Sequence, residues 1–124
     1  LDHFQDINDR HGHLVGDQAL TTVARLLGEC LRDQDLVGRY GGEEFLLLLP
    51  GADQHAAGEV AERCRKAVAN QVIATRSGDF RLTISLGVVS RIITDDIEID
   101  ELIRAADTAM YEAKKAGRNC IKFG

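Results

Sequence analysis

Three segments of the chain repeat apolar residues at helical spacing, and short strand-sized runs separate them. This interleaving limits the fold more than any other feature. In 17–32 the repeat is Leu20, Val23, Leu27 and Cys30, with Asp17 as the expected N-cap. In 53–71 it is Ala57, Val60, Ala61, Cys64 and Val68. In 100–116 it is Leu102, Ile103, Ala106, Ala109, Met110 and Ala113, with Gly117 just past the end. Residues 4–10 predict a shorter helix, and Gly12 and Gly16 then punctuate the chain.

The intervening runs predict strands at 36–40, 44–49, 80–90 and 119–123. Gly41-Gly42 separates the first two and reads as a tight hairpin turn, since glycine tolerates positive φ. The order is α-α-β-β-α-β-α-β. Helices and a hairpin mix without strict βαβ alternation, so the expected class is α+β with a largely antiparallel sheet. Leu1-Asp2 resembles the tail of a strand, so a further strand is expected ahead of it.

With 124 residues, 1–124 is expected to be one domain with a core of its own. The longest apolar run, Phe45 to Leu49, is far short of the roughly 20 residues a membrane helix needs. Net charge is −5, which argues against a nucleic acid polymer as partner. A small phosphorylated ligand fits better, since it needs only a few well-placed cations, and 11 of the 15 basic residues are arginine. Cys30, Cys64 and Cys120 have no metal-ligand spacing and read as reduced thiols of a cytoplasmic protein.

The hairpin carries the strongest chemical signal. Gly41-Gly42-Glu43-Glu44 sets two carboxylates on a turn that a ligand can approach closely. A glutamate there suits Mg²⁺, which takes few protein carboxylates plus substrate phosphates. Asn8 and Asp17 flank the loop from Gly12 to Gly16, and both side chains can read a nucleobase edge. Lys114 and Arg118 sit four apart near the C-terminus. His3, His11 and His13 read as ordinary polar residues rather than metal ligands.

These residues fall in an order that resembles the GGDEF domain of diguanylate cyclases. Residues 2–9 are similar to the family's D-x-D-x-F-K-x-x-N-D stretch from its second Asp onward. Residues 12–17 resemble G-H-x-x-G-D, and 39–45 the signature loop in its GGEEF form. Residues 105–114 and 117–119 resemble A-D-x-A-L-Y-x-A-K and G-R-N. The resemblance implies the palm-like, ferredoxin-like fold of nucleotidyl cyclases. It also implies condensation of two GTP into cyclic di-GMP, a bacterial second messenger, with release of two pyrophosphates.

Residue by residue, the resemblance makes Asn8 and Asp17 guanine ligands and Glu43 a ligand of Mg²⁺ or Mn²⁺, with the Leu1 carbonyl beside it. Glu43 and Glu44 become the catalytic pair. Lys114 and Arg118 hold phosphates, and Phe4, His13, Gly41 and Gly42 line the substrate site. Arg32-x-x-Asp35 resembles the family's inhibitory product site, with Arg63 as a secondary contact. A homodimer is implied, because each domain binds one GTP, and an upstream sensor is expected in the full-length protein.

There are two departures. The first Asp of D-x-D falls one residue before Leu1, so the chain as it stands is expected to be inactive. The family's lysine is Gln5 here. Two other readings stay open, a non-catalytic receptor for cyclic di-GMP and a GTP-sensing domain.

Overall fold

A computed structural model describes residues 1–124. Four helices and four short strands follow in the order α1 (Phe4–His11), α2 (His13–Glu29), β1 (Leu36–Arg39), β2 (Phe45–Leu48), α3 (Gln54–Asn70), β3 (Leu86–Val88), α4 (Ile99–Lys115) and β4 (Ile121–Phe123). The α+β class and the element order are as expected. β1 and β2 form the antiparallel hairpin, with Leu36 opposite Leu48 and Arg39 opposite Phe45. β3 and β4 pair in parallel, Leu86 opposite Ile121, with α4 as the crossover between them. No helix is long and apolar enough to cross a membrane.

Three local expectations need correction. Asp17 is not an N-cap. Gly12, at φ 86° and ψ 167°, separates α1 from α2, so α2 starts at His13 and Asp17 lies inside it. Gly41-Gly42 is not a tight two-residue turn. The ladder closes at Arg39–Phe45, the loop spans 40–44, and neither glycine has positive φ. The run 80–90 forms a ladder only at Leu86–Val88. Phe80 makes an isolated bridge with Ile73, and the one main-chain hydrogen bond to 81–85 is Asp2 N–H to Thr83 O at 2.9 Å.

The core gathers where α1, α2 and α3 meet the extended segment 81–85. Leu20, Val23 and Leu27 from α2 pack with Val60, Cys64 and Val68 from α3 and with Leu82 and Ile84. Burial, and then the neighbouring Cys30, push the Cys64 thiol up to about 12, so it stays protonated as a packing group. α3 begins as its sequence requires, with the Asp53 carboxylate accepting from Ala56 N–H at 2.8 Å. α4 lies tight on β3. A Cβ on Gly87 would fall 2.0 Å from Ala106 O, so only glycine permits this approach.

The connection from α2 to β1 is fastened by one fork. Arg32 Nη2 donates to Asp35 Oδ1 at 2.7 Å and Arg32 Nε to Oδ2 at 2.9 Å, while Arg32 N–H donates to Oδ2 at 2.9 Å. Arg32 Nη2 also reaches Pro50 O at 3.0 Å. The Asp35 side chain is fully enclosed. Its hydrogen bonds from Arg32 hold the carboxyl below the usual range, against the opposing effect of burial.

A depressed carboxyl pKa stabilises the fold above the unfolded-state value of about 4 and stops doing so as pH falls through the folded value. The stability gap between the native chain and Asp35→Asn should therefore be largest near neutrality and shrink below about pH 4. Urea unfolding at several pH values measures it, and a gap that does not change with pH would disprove the assignment.

Candidate active site

The first half of the site is a notch between α1 and α2. Asn8 is half-buried on α1, and its Oδ1 is enclosed without a hydrogen-bond partner. The atom is directed at Gly16, where a Cβ would stand 1.9 Å from Oδ1 and 3.3 Å from the tip of the Phe4 ring. Gly16 therefore does not break the chain. It lets α2 close over Asn8 and Phe4. Asp17 follows on α2 and is exposed, and His13 lies one turn earlier on the same face. Asn8 and Phe4 thus meet α2 at Gly16, between His13 and Asp17 in the helix, with an unsatisfied polar atom at the contact. Gln5 points away and donates to Asp9 at 3.0 Å.

The second half is the loop 40–44. Its carbonyls are tied from three sides. Glu44 O accepts from Tyr40 N–H at 2.8 Å. Arg39 wraps round to donate from Nε to Gly41 O at 3.2 Å and from Nη2 to Gly42 O at 2.6 Å. The Leu1 main-chain nitrogen donates to Glu43 O at 3.0 Å. The N–H groups of Gly42, Glu43 and Glu44 donate to nothing in the protein. A Cβ on Gly42 would meet open space, so no intramolecular contact requires glycine there. The Glu43 and Glu44 side chains make no hydrogen bond or ion pair, although Glu43 is half-buried.

Arg118 lies past the end of α4 in a left-handed turn at φ 64°, followed by Asn119 at φ 48°. Neither the Lys114 ammonium nor the Arg118 guanidinium is paired within the chain. The structure thus joins Leu1 to Glu43, and it leaves the Glu43 and Glu44 carboxylates and both cations without partners in the chain.

Two residues have roles here that the sequence did not assign to them. Arg39 braces the loop, and Asp2 is a buried carboxylate, 1% exposed. Asp2 accepts from Thr83 Oγ1 and Ser85 Oγ, both at 2.7 Å, and from Asn119 N–H at 3.0 Å. Burial pushes its pKa up, but these donors outweigh burial and hold the carboxyl below its usual range. The available signal was Thr83 and Ser85, two hydroxyls in an otherwise apolar run.

A metal could be held only by hard oxygens. The Leu1 carbonyl accepts no hydrogen bond, and the Glu43 carboxylate is unengaged. That donor set fits Mg²⁺ or Mn²⁺, with phosphates completing the shell. No group of three or more His, Cys, Asp or Glu side chains is placed to hold a metal ion anywhere in the structure. Arg32, Asp35 and Arg63 form a separate cluster behind the hairpin. Arg63 donates to Cys30 O at 2.8 Å and lowers the Asp35 carboxyl further by its charge.

Comparison with known proteins identifies the family. Residues 1–120 match the family described as diguanylate cyclase, GGDEF domain. The chain is 46% identical to diguanylate cyclase DgcM of Escherichia coli over 120 residues, covering 97% of this chain and 28% of that protein. Among solved structures, diguanylate cyclase SiaD of Pseudomonas aeruginosa, in complex with its activator SiaC, superposes with a TM-score of 0.94 at 38% identity. That match covers 99% of this chain and 46% of SiaD. The GGDEF domain of DgcB from Caulobacter crescentus, in complex with cyclic di-GMP, gives 0.91 at 31% identity, covering 98% and 72%. The chain spans less than half the length of the curated relatives it matches. With residues 1–120 matched by the family and relatives such as DgcM similar along nearly its whole length, the chain belongs to the GGDEF family of diguanylate cyclase domains.

Proposed function

We propose that this domain condenses two GTP into cyclic di-GMP. The observation that carries the reading is the 3.0 Å hydrogen bond from the Leu1 main-chain nitrogen to Glu43 O, which brings a residue whose carbonyl accepts no hydrogen bond to one whose carboxylate is unengaged. In the reaction, the 3′-hydroxyl of one GTP attacks the α-phosphorus of the other in line. Pyrophosphate leaves, and a second identical step closes the ring. The hydroxyl proton passes to Glu43 or Glu44. Lys114 and Arg118 counter the phosphate charge. A divalent cation, Mg²⁺ or Mn²⁺, held by Glu43 and the Leu1 carbonyl, would supply further charge neutralisation. Each chain offers one guanine notch, so two chains must face each other, which makes a homodimer the catalytic unit.

Activity is tested in the chain extended by a strand ending in Asp, following the family's pattern. Cyclic di-GMP should form from GTP with Mg²⁺ or Mn²⁺, and Glu43→Gln should abolish turnover by removing charge at the reacting phosphate. GTP binding without product at high dimer concentration would favour the receptor reading instead.

Base selectivity follows from the notch. Asp17 accepts from the guanine N1–H and amino group, and Asn8 complements it. Adenine lacks that donor pair, and each buried polar group left unpaired costs about 1–3 kcal/mol. Calorimetry should show GTP bound at least about ten-fold more tightly than ATP, and equal affinities would sink the assignment.

Product feedback is read from Arg32, Asp35 and Arg63, which cluster away from the loop's carboxylates. Arg32 would grip a product phosphate, and Asp35 a guanine edge. Arg32→Ala should relieve inhibition by cyclic di-GMP and leave initial rates near the native value. Unchanged product affinity in an equilibrium binding assay would eliminate this site.

A further inference from the structure

We infer that Asp2 is a positioning residue that sets the two halves of the phosphate end of the site against each other. The inference rests on the proposed cyclase reading. Its test has one arm that does not need nucleotide.

Asp2 touches neither the loop nor the free cations, but it is one residue from each. Its main chain continues from Leu1, whose main-chain nitrogen holds Glu43 O at 3.0 Å. Its Oδ2 takes the N–H of Asn119, the residue after Arg118, at 3.0 Å. Arg118 and Asn119 are consecutive left-handed residues, a conformation L side chains disfavour and leave unless something holds it. Two groups hold this turn from outside α4. Asp2 takes the Asn119 main chain, and Arg65 Nη1 donates to Asn119 Oδ1 at 2.9 Å. Asp2 is itself fixed by the Thr83 and Ser85 hydroxyls and by its own N–H on Thr83 O.

One buried carboxylate therefore references the Leu1 carbonyl and the Arg118 guanidinium to the same core-packed segment. Displacement of a binding group by about 1 Å costs on the order of a hundred-fold in rate when the reacting groups must align. A carboxylate that served only to stabilise the fold would have no reason to share its effect with Arg118. A positioning carboxylate must, because part of what it contributes is the place of that guanidinium.

The experiment compares the native chain with Asp2→Ala, Asp2→Asn, Arg118→Ala and the Asp2→Ala/Arg118→Ala double variant. Amide hydrogen exchange is followed by NMR, and GTP binding in Mg²⁺ by calorimetry. In Asp2→Ala, the Tyr40, Gly41 and Arg118 amides, none bonded to Asp2, should exchange at least about ten-fold faster, while α2 and α3 amides stay protected. Asp2→Asn keeps an acceptor for Asn119 N–H and should restore most of that protection, which covers the case in which the alanine variant fails to fold. Asp2→Ala and Arg118→Ala should each weaken GTP about ten-fold, and the double variant no more than about two-fold beyond either. Multiplying losses, or unchanged exchange at Tyr40, Gly41 and Arg118 in Asp2→Ala, would overturn the inference. A native chain that binds no GTP, with the exchange pattern as expected, would overturn the cyclase reading and leave the hold of Asp2 on both segments standing.

Discussion

The Asp2 carboxylate joins residues that are 81, 83 and 117 positions away along the chain. Burial alone would drive such a group towards its neutral form, because charge is poorly solvated in a protein interior. Two hydroxyls and a main-chain N–H reverse that tendency. Hydrogen bonds to a charged group are each worth roughly 1.5–3 kcal/mol, and all three converge here. The arrangement ties the start of α1, the extended segment 81–85 and the turn after α4 into one block. The hairpin joins that block through Leu1 and Glu43. These ties close long loops, so they reward only a chain whose helices have already docked.

The helices were legible because their apolar spacing is strong and their burial follows it. Ala57, Val60, Ala61, Cys64 and Val68 are all buried on α3, and Asp53 caps it. The start of α2 was misplaced because Asp17 has the chemistry of a cap, whereas the break is made by the backbone of Gly12. The run 80–90 shows what alternation reports. Leu82 and Ile84 are buried, at 5% and 6% exposure, while Arg81 is exposed. The period of two fixed which side chains face the core. A ladder also needs a partner strand, and pattern carries no information about that.

Candidate site residues were legible wherever they lie within a short motif. Gly41 to Glu44, Asn8 and Asp17 could be singled out from sequence, and α1, α2 and the hairpin hold them. What could not be read was the support. Gly16 resembles a chain break, but its role is to make room for Asn8 Oδ1. Arg39 resembles an ordinary strand cation, yet its guanidinium holds two loop carbonyls. Asp2 resembles a surface carboxylate until Thr83 and Ser85 are seen beside it. Each of these contacts except that of Arg39 joins residues far apart in sequence or on different helices, where spacing rules are silent.

The Arg32–Asp35 fork bears on the product site proposed for it. An exposed arginine binding a phosphate must first give up the freedom of a long side chain, a cost of up to about 2 kcal/mol. Arg32 is already ordered by Asp35 and Pro50 O through Nε and Nη2. Its Nη1 donates to nothing, so a phosphate can be received without breaking the fork. Asp35 differs, because its side chain is fully enclosed and both oxygens already accept from Arg32. A guanine edge can reach it only if the fork opens on that side. Phosphate capture by Arg32 and base recognition by Asp35 are therefore unequal steps. The first uses a group the fold has already set in place, and the second requires the α2–β1 connection to move.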